Sequence, residues 1–182
     1  MSFDFVFVPV IGANDAQLAG FSCGNASLDE FLKREARDYA EHGITTTTVV
    51  WVEGDMASPS AFFSLSNDVV RLTGGEAGEL GLPFMPVTRD FPAVKLTKFA
   101  VSLAYQRTGL GRELMKYIEG MVFAAKGMSA VRLLTLDSLP EERVLSFYTS
   151  NGFARCEHEE RQKRQQKNRQ SILMFKDLYV AP

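Results

Sequence analysis

Between Val94 and Leu136 the chain reads as strand, glycine-bearing turn, helix and strand, and this run restricts the possible folds more than any other stretch. Val94 to Leu103 is rich in β-formers, and Tyr105 to Gly111 carries two glycines. Leu110, Leu114, Met115, Ile118, Met121, Val122 and Ala125 then recur on one face of a helix, which Gly127 can close. Val131 to Leu136 is again a strand. Strand, helix and strand in close succession is the order of a βαβ unit, so a parallel step is expected at the centre of the sheet.

The flanking segments supply the rest of that sheet. Phe3 to Val10 is a strand, and Asn14 to Phe21 a short connector. Ser27-Leu28-Asp29-Glu30 has the form of a capping box, followed by Leu28, Phe31, Leu32, Ala36 and Tyr39 at helical spacing and a stop at Gly43. Thr45 to Val52 and Ser60 to Leu72 form a hairpin around Gly54-Asp55. Thr73 to Pro92, with four glycines and three prolines, is expected to be a long connection bordering a site. Pro140 suits the first turn of a helix running to Asn151-Gly152. Phe153 to His158 and Ser171 to Leu178 close the order β-α-β-β-β-α-β-α-β-β, with a charged turn between them. The 182 residues fit one domain spanning 1–182.

The turn from Lys98 to Arg112 carries the chemistry. Glycines at 109 and 111 let backbone approach a ligand closely, and the first amides of the following helix are unpaired and lie at the positive end of its dipole. Such a turn can hold a pyrophosphate by main chain, with Arg107 or Arg112 assisting. It lacks the third glycine of the dinucleotide fingerprint and the Gly-Lys-Ser/Thr ending of the P-loop. Taken alone, Gly-x-Gly is equally a turn without a ligand.

Two motifs together say more. Gln106-Arg107-Thr108-Gly109-Leu110-Gly111 resembles the Arg/Gln-x-x-Gly-x-Gly/Ala pattern of the GNAT acetyltransferase superfamily, and Lys98-Phe99-Ala100-Val101 resembles the strand that precedes it there. Val144-Leu145-Ser146-Phe147-Tyr148-Thr149-Ser150-Asn151-Gly152-Phe153 is similar to the family's later Ala-x-x-Phe/Leu-Tyr-x-x-x-Gly-Phe. The resemblance implies an α/β GNAT fold, a mixed and mostly antiparallel sheet with a splayed central parallel pair, flanked by helices. It also implies acetyl-coenzyme A as cosubstrate and no metal. By resemblance, the coenzyme residues are Phe99, Ala100 and Val101 along the strand, and Gln106, Arg107, Thr108, Gly109, Leu110, Gly111 and Arg112 around the pyrophosphate. Tyr148 is the catalytic residue implied, its hydroxyl facing the coenzyme sulfur; the plainer reading is a core aromatic beside Phe147. Glu141 stands where the family often has an asparagine, and is expected in the first helical turn. No general base stands out. Asp68, Asp137 and Glu76 are candidates by position alone.

The acceptor is less constrained. Phe21-Ser22-Cys23-Gly24-Asn25-Ala26-Ser27-Leu28-Asp29-Glu30-Phe31-Leu32 is similar to a segment of one GNAT branch that includes bacterial toxins acetylating aminoacyl-tRNA, each neutralised by a small antitoxin. Arg155 to Arg169 holds six basic residues against three acidic ones, so Arg161 to Arg169 offers phosphate contacts for a tRNA. A formal net charge of -2 argues the other way. The expected acceptor is a primary amine of a small molecule or protein, with aminoacyl-tRNA and its antitoxin partner as the alternative. A coenzyme-binding regulatory module without turnover comes third, and a homodimer is compatible with each. Two cysteines and two histidines supply neither a disulfide framework nor a zinc site. No run of eighteen apolar residues spans a membrane and the N-terminus lacks a signal-peptide pattern, which points to the cytoplasm.

Overall fold

The computed structural model describes residues 3–84, 86–125, 129–164 and 170–179. Its strands are β1 (Phe5–Pro9), β2 (Thr46–Val52), β3 (Ala61–Arg71), β4 (Asp90–Val101), β5 (Leu133–Ser138), β6 (Ala154–Arg155) and β7 (Ile172–Asp177). The helices are α1 (Asp15–Ala19), α2 (Ala26–Glu30), α3 (Ala36–Glu41), α4 (Gly74–Glu79), α5 (Leu110–Ala124), α6 (Glu142–Ser150) and α7 (Glu157–Gln162). A π-helical stretch, Phe31–Glu35, joins α2 to α3. The strands stand in the order β1-β2-β3-β4-β5-β7-β6. They are mostly antiparallel with one parallel pair, as expected for the central strand–helix–strand run. No described helix is long and apolar enough to cross a membrane.

The chain divides into two compact units, Met1–Ser66 with Leu96–Tyr117 and Asn67–Lys95 with Ile118–Pro182. In the first, β1 pairs with β2 (Phe7 opposite Val50) and β2 with β3 (Val49 opposite Phe62). Alternate residues turn inward, so Val49, Trp51 and Phe62 meet Phe21, Phe31, Leu32 and Ala36 from the N-terminal helices, and Ala100 from β4. Phe62 lies edge-on to Phe21 at 5.4 Å and stacked on Phe31 at 6.2 Å. Each such ring removed from water stabilises by roughly 1.5–3 kcal/mol. In the second unit β7 pairs with β5 (Leu136 opposite Met174) and with the stub β6. Its core joins Val70, Leu72, Phe91, Ala93, Leu133 and Phe175 to Ala77 and Leu80 of the α4 region. β1 and β6 are the margins of the sheet, β1 ending at Pro9 and β6 only two residues long.

Several expectations are corrected. Asn14 to Phe21 contains α1, because Asn14 caps it by accepting from Ala16 N at 2.8 Å. The cap of α2 is Asn25, whose Oδ1 takes the amides of Ser27 (3.1 Å) and Leu28 (3.3 Å), so Ser27 is a first-turn residue. Gly43 does end α3, at φ +67°. The 73–92 connection is interrupted by α4, and β4 begins earlier than expected, at Asp90, and ends at Val101. α6 starts at Glu142, leaving Pro140 outside; Glu141 is its N-cap, in extended backbone and without a side-chain capping bond. Phe153 to His158 is not one strand. Its second half is α7, with Glu157, Glu159 and Glu160 in the first turn where the helix dipole favours them. Gly127, Lys167 and Arg169 lie outside the described residues.

Candidate active site

All the residues expected to hold coenzyme fall on one stretch of the first unit. On β4 the side chains alternate: Ala100 is buried among Trp51 and Phe62, while Phe99 and Val101 are half-buried on the opposite face. Leu110 is wholly buried. Only the main chain of Ala100 and of Leu110 is therefore in a position to meet a ligand.

Beyond Val101 the chain is tied down on both sides. Ser102 N donates to Ser60 O at 2.8 Å, Leu103 N to Ser22 O at 2.9 Å, and the Tyr105 hydroxyl to Asp55 at 2.7 Å. Gln106 turns its carboxamide inward, Nε2 donating to Cys23 O (2.8 Å) and Val101 O (3.0 Å). Arg107 follows in the left-handed region, φ +64°, the one non-glycine with positive φ among the described residues. That conformation costs a residue with a Cβ about 1–2 kcal/mol. The Thr108 hydroxyl donates to Tyr105 O at 2.7 Å, and Gly109 is left-handed again at φ +96°, which a glycine adopts freely. Arg112 N and Glu113 N fold back on Gly109 O, at 3.0 and 3.2 Å, to begin α5. Among the described residues the amides of Thr108, Gly109 and Gly111 have no hydrogen bond. Free amides at the start of a fifteen-residue helix, beside the exposed Arg107 and Arg112, are the kind of groups that can take up an anion.

Tyr148 belongs to the second unit, in the last turn of α6. Phe147 (5.2 Å) and Phe153 (5.8 Å) lie edge-on to its ring. The chain then reverses: Asn151 N and Phe153 N both donate to Tyr148 O, and Gly152 takes φ +86°. Half-buried, the hydroxyl has no hydrogen-bond partner among the described residues, and burial pushes its pKa up to about 12. The phenol is thus a group that keeps its proton.

The carboxylates considered as bases are all engaged. Asp68 accepts from the Thr135 hydroxyl at 2.6 Å, and Asp137 pairs with Lys95 at 2.6 Å. Glu76 is buried; one oxygen takes Thr73 N, closing a capping box with Thr73, and the other takes Glu157 N, the first amide of α7, both at 2.7 Å. Glu76 is a structural carboxylate. The basic segment also changes character, because Arg161 pairs with Glu157 at 2.8 Å, Lys163 with Glu159, and Arg155 with Glu160 at 3.7 Å. Of the cations expected to meet phosphates, Arg161 and Lys163 are therefore already paired with carboxylates one helical turn back. Cys23 and Cys156 are free thiols, and burial raises both, Cys23 to about 11.

Reading the sequence missed the inward turn of Gln106, the left-handed Arg107 and the Asn25 cap. Of these only Asn25 left a signal, as a second cap-forming residue just before Ser27. Comparison with known proteins adds the following. The family model described as acetyltransferase (GNAT) domain matches residues 60–155. Among solved structures, a tyrosine-to-phenylalanine variant of KacT is 19% identical with TM-score 0.73, covering 96% of this chain and 95% of that one. AtaT complexed with acetyl-methionyl-tRNAfMet is 17% identical with TM-score 0.71, covering 93% and 94%. A variant of the AtaT toxin, bound to the C-terminus of the antitoxin AtaR and to acetyl-CoA, is 17% identical with TM-score 0.68, covering 96% and 94%.

Proposed function

The chain belongs to the GNAT acetyltransferase family and is an acetyl-coenzyme A-dependent acyltransferase, and we propose that its acceptor is the amino group of an aminoacyl-tRNA. One observation carries the choice of acceptor. The family model begins at residue 60, but the AtaT and KacT structures match 93–96% of the chain. The N-terminal helices α1 to α3 are thus part of what is shared with toxins, one of them solved with an acetylated aminoacyl-tRNA. The same coverage supports treating both units as one catalytic domain. If the parallel extends to regulation, a small antitoxin is the partner and the cytoplasm, where tRNA is charged, the location.

In this reading the pyrophosphate sits on the amides of Thr108, Gly109 and Gly111 with Arg107 and Arg112 beside it, and the pantetheine arm runs along Phe99 to Val101. The neutral amine attacks the thioester carbonyl, forming the C–N bond. The tetrahedral intermediate collapses with cleavage of C–S, the sulfur leaves as thiolate, and the amine's surplus proton passes to solvent. Tyr148 serves as a hydrogen-bond donor to the departing sulfur. A phenol at about 12 is a weaker acid than an ordinary thiol by roughly three units. Complete transfer of its proton is therefore uphill, and stabilisation by hydrogen bonding is the larger effect.

A second reading, transfer to a small or protein amine, draws support from the ion-paired Arg161 and Lys163 and the net charge of -2. Acetyl-labelled coenzyme incubated with the enzyme and a set of aminoacylated tRNAs, deacylated tRNAs, polyamines and peptides separates the two. We expect label on aminoacyl-tRNA alone, released by mild base as N-acetyl amino acid. Label on polyamine or peptide with none on any aminoacyl-tRNA would overturn the choice of acceptor.

A further inference from the structure

Gln106 has two amide hydrogens, and both are taken up by main-chain carbonyls, Cys23 O at 2.8 Å and Val101 O at 3.0 Å. Its side chain has no donor left for a phosphate. Cys23 is 83 residues away in sequence, so the contact pins a distant segment against the turn. That segment is itself locked. Asp29 accepts from Cys23 N through Oδ1 (2.8 Å) and from the Ser22 hydroxyl through Oδ2 (3.1 Å), while Ser22 O accepts from Leu103 N (2.9 Å). Burial pulls the Asp29 pKa up, but the donors at Cys23 and Ser22 outweigh it and hold the carboxyl below its usual range. Gly24 passes Leu103 so closely, at φ +84°, that a Cβ there would lie 3.2 Å from Leu103 Cδ2. Immediately after these anchors comes Arg107, whose left-handed backbone persists only where its surroundings over-determine it.

We infer that Ser22 to Asp29 and the Gln106 side chain form a brace that imposes the conformation of the coenzyme turn, Gln106 and Asp29 acting as positioning residues and not as ligands. This rests on the reading of 107–112 as the pyrophosphate site. The brace engages the turn through Gln106 and leaves Arg107 to Gly109 exposed, so that the amides are already oriented when the anion arrives. It also gives the Cys-Gly and Leu-Asp pairs of the N-terminal segment a task beyond starting a helix. Cys23 offers its carbonyl to Gln106, Gly24 permits the close passage, and Asp29 holds Cys23 by its amide and Ser22 by its hydroxyl.

The test uses the full chain, with acetyl-coenzyme A affinity by calorimetry and initial rates with whichever amine it acetylates. Gln106→Glu replaces the donor by a carboxylate facing two carbonyls, and Asp29→Ala frees Cys23 and Ser22. Each should raise Kd and KM for acetyl-coenzyme A by about tenfold, the loss of one to two hydrogen bonds. Turnover at saturating coenzyme and the acceptor KM should stay within about twofold. The double variant should lose less than the product of the two, since both act through one element. Asp29→Asn retains an acceptor for Cys23 N and should bind nearly as wild type; with Asp29→Ala it carries the test if Gln106→Glu does not fold. Gly111→Val is the control for the site itself. If it abolishes binding while Gln106→Glu and Asp29→Ala keep wild-type Kd, the brace is refuted and the site stands. If Gly111→Val binds as wild type, the turn is not the coenzyme site and both readings fall.

Discussion

Glu76 offers the sharpest contrast between a catalytic and a structural reading of one carboxylate. It is 7% exposed, and a buried charge is costly unless fully hydrogen-bonded. Two 2.7 Å bonds, from Thr73 N and Glu157 N, meet that condition and fix the starts of two short helices, α4 and α7. Bonds to a charged acceptor are worth about 1.5–3 kcal/mol each. Glu76→Ala removes both, and solvent reaching the half-buried Thr73 amide recovers part of the loss, which leaves a destabilisation of roughly 3–5 kcal/mol. At about 2–4 °C per kcal/mol for a chain of this size, the melting temperature should fall by roughly 6–20 °C. Glu76→Gln keeps one acceptor oxygen and should lose about half as much. Thermal unfolding followed by circular dichroism measures both, and rates taken well below the transition should show Glu76→Gln turning over nearly as wild type. A Glu76→Ala protein melting within 2 °C of wild type would refute the structural account (a shift that small corresponds to ~1 kcal/mol or less). So would a Glu76→Gln protein of native stability with turnover reduced a hundredfold.

Two further outcomes are expected. Tyr148→Phe should lower turnover by roughly 10²-fold with unchanged acetyl-coenzyme A affinity. Because burial lifts this phenol to about 12, above its unfolded value of ~10, its contribution to stability is intact below pH 10 and is lost as pH rises from 10 to 12. The pH–rate profile should therefore show no basic limb from Tyr148 below pH 10, and a limb near pH 8 that vanished in the Phe variant would contradict the assignment. Arg107→Gly relieves a left-handed residue at the expense of a freer unfolded chain, so stability should change by less than ~1 kcal/mol. Coenzyme affinity should fall about three- to tenfold through the lost charge, a loss that shrinks in high salt; a collapse of stability would mean the Arg107 side chain is a packing element.

The sequence made the central strand–helix–strand run legible because a long helix with one apolar face has few alternative readings. α4 was not, since Gly74-Gly75-Glu76-Ala77-Gly78-Glu79 is a poor helix former; its trace was the Thr73-x-x-Glu76 capping pair, inside a stretch whose glycines and prolines suggest a loop. α7 hid behind the β-like start at Phe153, although acidic residues at 157, 159 and 160 followed by Arg161 and Lys163 are the charge order a helix dipole favours. At the candidate site the glycines at 109 and 111 were visible, and Gly109 alone of the two takes positive φ. The direction of Gln106 was not, because a side-chain amide points where its acceptors are, and one of these is supplied from 83 residues away. The left-handed residue fell on Arg107, for which no local preference speaks; only tertiary anchoring puts it there.

The margins of the sheet bear on how the chain survives at high concentration before and after it folds. An open strand edge is a template onto which other chains can add. At one side β6 offers two residues, too few to hold an incoming strand. At the other, β1 is Phe-Val-Phe-Val-Pro, apolar and β-prone, the kind of segment that seeds cross-β stacking. Pro9 removes a backbone donor at one end. Asp4 stands at the other, its carbonyl taken by Glu53 N at 2.8 Å. A charge and a proline thus act as gatekeepers for this edge, confining it to a length at which recruiting a second chain gains little.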